Sequence, residues 1–372
     1  MWTLTYIYLF AVSFILSLIA VKYCKPLAFK LNMVDRPSDR RIHKKETPLL
    51  GGLGIFIALM ISVLVHYFGI ILLYRMHAEK LSPYIGRIFI HVPGMIKVGW
   101  SMLGIFVCGF IIFIVGLFDD KFGLPAKLKF YLEIAIAFCI VYFFDIKITL
   151  FVKNEVFSYV ITIFWIVGIT NSFNLLDNMD GLSAGVAMTS SIVLLIASLI
   201  AGQLFIGLFL VAFIGVLLGF LRYNFPPASI FMGDAGSLFI GFILSILTIM
   251  GTYYIKGSST LYPVLMPVII LGLPIYDTMS VIVIRTKNRE SIFKPDKNHF
   301  SHRLLRLGMT HRGTALFVYL VTFCVAINAI LLPGLKQFGV LTTAVQTLCI
   351  LSIISFLEYY GKQQADKKNN GK

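Results

Sequence analysis

Eleven apolar stretches recur along this chain, each long enough to cross a bilayer as a helix, which takes about 20 residues. They run over 4–21, 50–73, 98–118, 129–145, 156–172, 182–201, 203–221, 235–254, 260–284, 313–332 and 338–360. A bilayer core offers no water to satisfy the backbone, so a chain of this pattern must span it as helices. The expected fold class is therefore an all-α polytopic membrane protein of about 11 transmembrane helices. It is expected to form a single integral-membrane domain over 1–361, followed by a polar, mobile tail over 362–372. The first stretch has no basic segment ahead of it and no small-residue cleavage site, and reads as a retained helix, not a removed signal peptide.

The formal net charge of +15 would by itself suggest nucleic acid, but its placement argues otherwise. With the N-terminus outside, 24 of the 32 Lys and Arg fall in inner loops and the C-terminal tail, and eight fall in outer loops. That bias orients the chain with the N-terminus outside and the C-terminus in the cytoplasm. The basic residues are spread over several loops, which makes the lipid bilayer the partner and gives no nucleic-acid module. The five cysteines stand singly in or beside apolar runs without a CxxC, and read as reduced packing residues. The longest outer loop, 74–97, carries no functional signal, and 146–157 alternates weakly, as a small hairpin would.

In this topology Asp119, Asp120, Asp177, Asp180 and Asp234 all fall at the cytoplasmic ends of helices or in cytoplasmic loops. Carboxylates beside hydrocarbon cost roughly 2.5–3.5 kcal/mol each at a helix centre, so they need partners. Asp119-Asp120 is followed by Lys121, Lys127 and Lys129. The pair reads either as a base or metal ligand with lysines aimed at a phosphate, or as a solvated helix end. One of two adjacent carboxyls should hold its proton unless a cation or lysine sits close.

Asn171–Leu182 carries Asn171, Asn174, Asp177 and Asp180. Asp177 and Asp180 share a face if the preceding helix continues through them, while Asp180-Gly181 serves equally as the N-cap of the next helix. Asn and Asp side chains suit the edge of a nucleobase or sugar. In Phe231-Met-Gly-Asp234 a carboxylate opens a helix among small residues. It is an ordinary N-cap, or it holds Mg²⁺ bridging phosphates near a helix N-terminus. His299 and His302 lack a third ligand at zinc spacing and, with Arg303, fit an anion clamp better; a basic helix lying on anionic lipid is the bland alternative. Lys44 or Lys45 in the first inner loop can reach a phosphate, and Gly51-Gly52 suits a close-packed helix start. Asp277, two turns before Arg285, reads as an ion-pair partner.

These motifs together resemble the polyprenyl-phosphate N-acetylhexosamine-1-phosphate transferases, bacterial membrane enzymes that start O-antigen, teichoic-acid and related glycans. The likeness covers essentially the whole chain and rests on Asp119-Asp120 with Lys127, Asn171 to Leu182, Phe231 to Ser237, and the His299/His302 loop. The phospho-N-acetylmuramoyl-pentapeptide transferase of peptidoglycan synthesis is a relative. The resemblance implies that a UDP-sugar and polyprenyl phosphate give polyprenyl-diphosphate-sugar and UMP, with Mg²⁺ (Mn²⁺ an admissible substitute), at a bacterial plasma membrane.

By the same resemblance Asp234 is the magnesium ligand and Asp119 the acid or base nearest the lipid phosphate. Asp120 and Lys127 support the phosphate site. Asn174, Asp177, Asp180, Asn224 and Phe231 bind the nucleotide, Phe231 by stacking on uracil. His299, His302 and Arg303 meet the sugar-diphosphate end. Ser301 departs from the family's His-x-His-His, which leaves the sugar open between N-acetylhexosamines, GlcNAc first among them. The rival class is a transporter or flippase of an anionic or lipid-linked substrate, which calls for midplane charges and inverted repeats that this sequence lacks. A homodimer is compatible with the sequence.

Overall fold

The computed structural model describes residues 2–36, 46–76, 83–149, 154–251, 262–291 and 299–370. Fifteen α-helices follow in order: α1 (Trp2–Lys30), α2 (Gly51–Arg75), α3 (Pro83–Phe89), α4 (Val92–Lys97), α5 (Gly99–Phe122), α6 (Ala126–Phe144), α7 (Glu155–Leu176) and α8 (Leu182–Ile200). They continue as α9 (Leu204–Asn224), α10 (Gly233–Met250), α11 (Met266–Ile270), α12 (Gly272–Lys287), α13 (Phe300–Arg306), α14 (His311–Ala326) and α15 (Gln337–Asn370). Short 3₁₀ segments cover Tyr262–Leu265 and Ile327–Gly334. The described strands are β1 (Val34–Asp35) and β2 (Thr47–Pro48), paired antiparallel. Among the described residues nine helical segments are long and apolar enough to cross a membrane. The chain is an all-helical, multi-pass membrane protein.

The bundle is organised around α10, which packs against α5, α7 and α2. Every residue from Gly233 to Thr248 is buried except Asp234. A helix apolar all round belongs in the interior, and this one carries a single carboxylate to its open end. Close approach at that end depends on missing side chains. A Cβ on Gly116 of α5 would lie 2.5 Å from the Ala235 backbone, and one on Gly52 of α2 would collide with Gly236. At the periphery α1 keeps Leu4, Ile7, Ile15 and Ile19 exposed, as a lipid-facing helix does.

Several expectations are corrected. The stretch 260–284 is not one continuous helix: α11 ends at Ile270 and α12 starts at Gly272. Pro274 accounts for the break, because its ring clashes with the carbonyl four residues back, that of Ile270. The stretch 129–145 does form a helix, α6, but with Lys127, Lys129 and Glu133 it is more charged than the nine apolar spans. No strand forms in the described part of 146–157, and the outer loop 74–97 contains α3 and α4. Helix α15 continues to Asn370, into the polar tail.

Candidate active site

Helices α5 and α7 end, and α6 and α10 begin, at the same end of the bundle. Gly123, with φ +69°, stops α5 and donates its N–H to the Asp119 carbonyl at 2.8 Å. The chain turns there, and the Leu124 N–H bonds Asp119 Oδ1 at 2.7 Å, which leaves Oδ2 for a side chain. That partner is Lys129 in the first turn of α6, 2.8 Å from Asp119 Oδ2 and 2.8 Å from Asp234 Oδ2. Asn174, near the end of α7, donates to Asp234 Oδ1 at 2.8 Å and to Ser237 Oγ at 2.9 Å, and its own oxygen lies 3.4 Å from Lys129. Four helix ends thus meet at one ammonium.

Asp120 behaves differently from its neighbour. Its two oxygens accept the N–H groups of Asp234 at 2.7 Å and Ala235 at 3.0 Å. The first N–H groups of a helix have no partner within it, so a carboxylate there both satisfies them and meets the positive end of the helix dipole. Gly233, with φ +72°, is required beneath it, since a Cβ would lie 2.5 Å from Asp120 Oδ2. Asp120 therefore holds Asp234 in place through the backbone. Asp234 is not itself the N-cap, which is Met232.

One layer deeper, Glu133 lies one turn beyond Lys129 on α6 and is 1% exposed. It accepts from Asn171, which also donates to the Val167 carbonyl at 2.9 Å. Lys129 with Asn174 and Glu133 with Asn171 form two successive rungs between α6 and α7.

The loops around this junction are tied by backbone contacts. Helix α7 ends at Leu176, so Asp177 and Asp180 do not lie on one continuous helix. Asp180 accepts the Ala228 N–H at 2.9 Å, and Gly181, not Asp180, caps α8. Asn224 is buried, accepting from Gly181 N at 2.9 Å and donating to the Ile230 carbonyl at 2.8 Å. Phe231 is half-buried, its N–H bonded to the Pro48 carbonyl and its carbonyl to Gly51 N. Burial, with the nearby charges of Asp234 and Asp180, pushes the Asp177 carboxyl up to about 8.

The histidine loop docks on the same side. His299 is buried with Nδ1 2.9 Å from Asp277 Oδ2. Ser301 Oγ donates to Asn178 Oδ1 at 2.5 Å, and Arg303 donates to Ser280 Oγ at 3.1 Å. His302 lies half-buried in α13.

The family model described as "Glycosyl transferase family 4" matches residues 102–252, the span that holds the junction. A Bacillus subtilis protein named as a probable undecaprenyl-phosphate N-acetylglucosaminyl 1-phosphate transferase is 38% identical over 332 residues, 87% of this chain and 84% of its own. The chain belongs to glycosyl transferase family 4. A Mycolicibacterium smegmatis protein named decaprenyl-phosphate N-acetylglucosaminephosphotransferase is 30% identical over 340 residues, 85% of this chain and 79% of its own. A Thermotoga maritima protein named undecaprenyl-phosphate alpha-N-acetylglucosaminyl 1-phosphate transferase is 26% identical over 338 residues, 84% and 92% respectively. These are phosphotransferase enzymes, which favours the transferase reading over the transporter one.

Within this family member, the structure brings Asp119, Asp120, Asn174 and Asp234 together. Asp177 lies close enough to Asp234 to feel its charge. Lys127 is exposed, and the lysine that meets the carboxylates is Lys129. Two residues turn a helix by about 200°, so the two lysines point to opposite sides. Lys44 lies outside the described residues. Asp277, expected to be ion-paired, meets His299 and the Phe300 N–H. Glu133 and Asn178 were not expected at the site at all. A Lys-x-x-x-Glu spacing on one helix face was the available signal for Glu133.

Proposed function

We propose that this protein transfers an N-acetylhexosamine-1-phosphate, GlcNAc-1-phosphate first among them, from a UDP-sugar to polyprenyl phosphate and releases UMP. The setting is the bacterial plasma membrane, at the start of a cell-wall or surface polysaccharide. The observation that carries this reading is the junction of Asp119, Asp234 and Lys129, in a chain whose relatives are named for this transfer onto undecaprenyl or decaprenyl phosphate.

The reaction joins two phosphates, so charge neutralisation and positioning dominate. A phosphate oxygen of the lipid attacks the β-phosphorus of the UDP-sugar, a new P–O bond forms, and the bond to the bridging oxygen breaks as UMP leaves. Asp119 keeps the lipid phosphate deprotonated, and Lys129 supplies positive charge beside the phosphates. Asp120 holds the first turn of α10 so that Asp234 faces Lys129. Asn174 holds Asp234 Oδ1, and Asp177, Asp180 and Asn224 hold the loops against the nucleotide, with Phe231 at the base. His299, His302 and Arg303 meet the sugar-diphosphate end.

The donor set suits Mg²⁺ or Mn²⁺. Among the described residues no three acidic, His or Cys side chains form a ready-made cage. Mg²⁺ is usually held by one or two carboxylates plus substrate phosphates, and two carboxylate oxygens already converge on one cation, the Lys129 ammonium. Asp234 would hold the metal, which when bound supplies charge stabilisation to the departing phosphate.

The test is to incubate detergent-solubilised protein with UDP-N-acetylglucosamine, polyprenyl phosphate and Mg²⁺, then measure UMP. Lipid-dependent UMP is the expected result. No UMP with any member of a UDP-aminosugar panel would sink the reading.

A further inference from the structure

The chemistry above leaves Asp277 of α12 without a role, although it is 1% exposed. A carboxylate so enclosed needs partners for both oxygens, and it has them. Oδ1 accepts the Phe300 N–H at 2.7 Å, and Oδ2 lies 2.9 Å from His299 Nδ1. An ionised carboxylate can only accept, so Nδ1 must carry the proton whether the ring is neutral or charged. His299 Nε2 has no hydrogen-bond partner among the described residues. Ser280, one turn on from Asp277, receives Arg303, so α12 sets the start and the middle of α13 alike.

We propose that Asp277 is a positioning residue for the transfer. It holds Nδ1–H and the ring orientation of His299, so that the doubly protonated ring donates from Nε2 to the sugar-diphosphate end of the donor. The proposal rests on the transferase reading and names a residue that acts through His299 without touching substrate. The substitution that isolates this role is Asp277→Asn. Its single oxygen can keep the Phe300 N–H, while its NH₂ faces Nδ1 and leaves the ring neutral, with its one proton on Nε2. The docking of α13 survives and the charge assistance of the Nε2 hydrogen bond is lost.

The experiment measures dissociation constants of UDP-N-acetylglucosamine and of UMP for the full-length, detergent-solubilised protein, with melting temperatures alongside. Asp277→Asn and His299→Ala should each weaken UDP-N-acetylglucosamine by about tenfold, the scale of one charge-assisted hydrogen bond. UMP binding should change by less than about twofold, and the double variant should bind no more weakly than His299→Ala alone. Multiplicative losses in the double variant would overturn the proposal, as would unchanged nucleotide-sugar binding in Asp277→Asn.

Ser301→Ala cuts another tether of α13, the one to Asn178, without touching the imidazole; a loss as large as that of Asp277→Asn would show that docking alone matters, and would also overturn it. If Asp277→Asn does not fold, His299→Asn keeps a donor toward Asp277 and lacks Nε2. It should lose the same nucleotide-sugar affinity on an intact fold, and retained affinity would count against the proposal. A wild-type protein that binds neither nucleotide overturns the proposed function itself, which is a separate outcome.

Discussion

The two walls of the site are built from different kinds of contact. At the α5/α6/α7/α10 junction side chain meets side chain: Lys129 with Asp119, Asp234 and Asn174. Across from it side chain meets backbone: Asp180 on Ala228, Asn224 on Gly181 and Ile230, Arg312 on Pro226 and Tyr319 on Gly181. Contacts to backbone fix where a loop lies and cannot be exchanged without moving the chain. Contacts between side chains can be traded for a ligand's atoms. Adjacent residues repeat the contrast, since Asp120 spends both oxygens on backbone and Asp119 only one. The first wall is suited to chemistry and the second to shape.

The largest effects should fall on the exchangeable wall. Asp234→Asn should lower UMP release by about 10³-fold, the scale of removing one preorganised electrostatic group. Lys129→Met should lower it by about 10²-fold, while Lys127→Met, an exposed lysine, should change it by less than about threefold. Equal losses at the two lysines would break the comparison. On the fixed wall Asn224→Ala orphans a buried N–H and a buried carbonyl. It should cost about 1–3 kcal/mol of stability, visible in thermal denaturation, with kcat affected less than KM; the reverse split would move Asn224 to the reactive wall.

A pH slope is a separate readout. The folded Asp177 carboxyl titrates near about 8, against about 3.9 when unfolded. Between those values the ligand-free folded protein holds a proton the unfolded chain has released, so stability should fall as pH rises through that window. Asp177→Asn should flatten the slope, and a variant with wild-type pH dependence would show that Asp177 is not the source.

Most of the fold was legible because membrane helices follow from composition along the chain. The apolar stretches mark where α1, α2, α5 and α7 to α10 run, and the gathering of five aspartates at one end follows from counting alternate crossings. The partners of those aspartates were not legible. Lys127 and Lys129 differ only in rotation about α6, and nothing local says which faces α5. The capping of α10 by Asp120 joins residues more than a hundred positions apart, and Asp277 with His299 crosses an interhelical loop. The break at Leu271 was signalled by Pro274, but mean apolarity over 260–284 masked it.

The central claim is that the carboxylate junction, and not the loop wall, is where the cation and the phosphates are held. Mn²⁺ binding followed by electron paramagnetic resonance, with UDP-N-acetylglucosamine present, tests it most directly. Binding should be lost in Asp234→Asn and retained in Asp180→Asn. Retention in Asp234→Asn, or loss confined to Asp180→Asn, would contradict it.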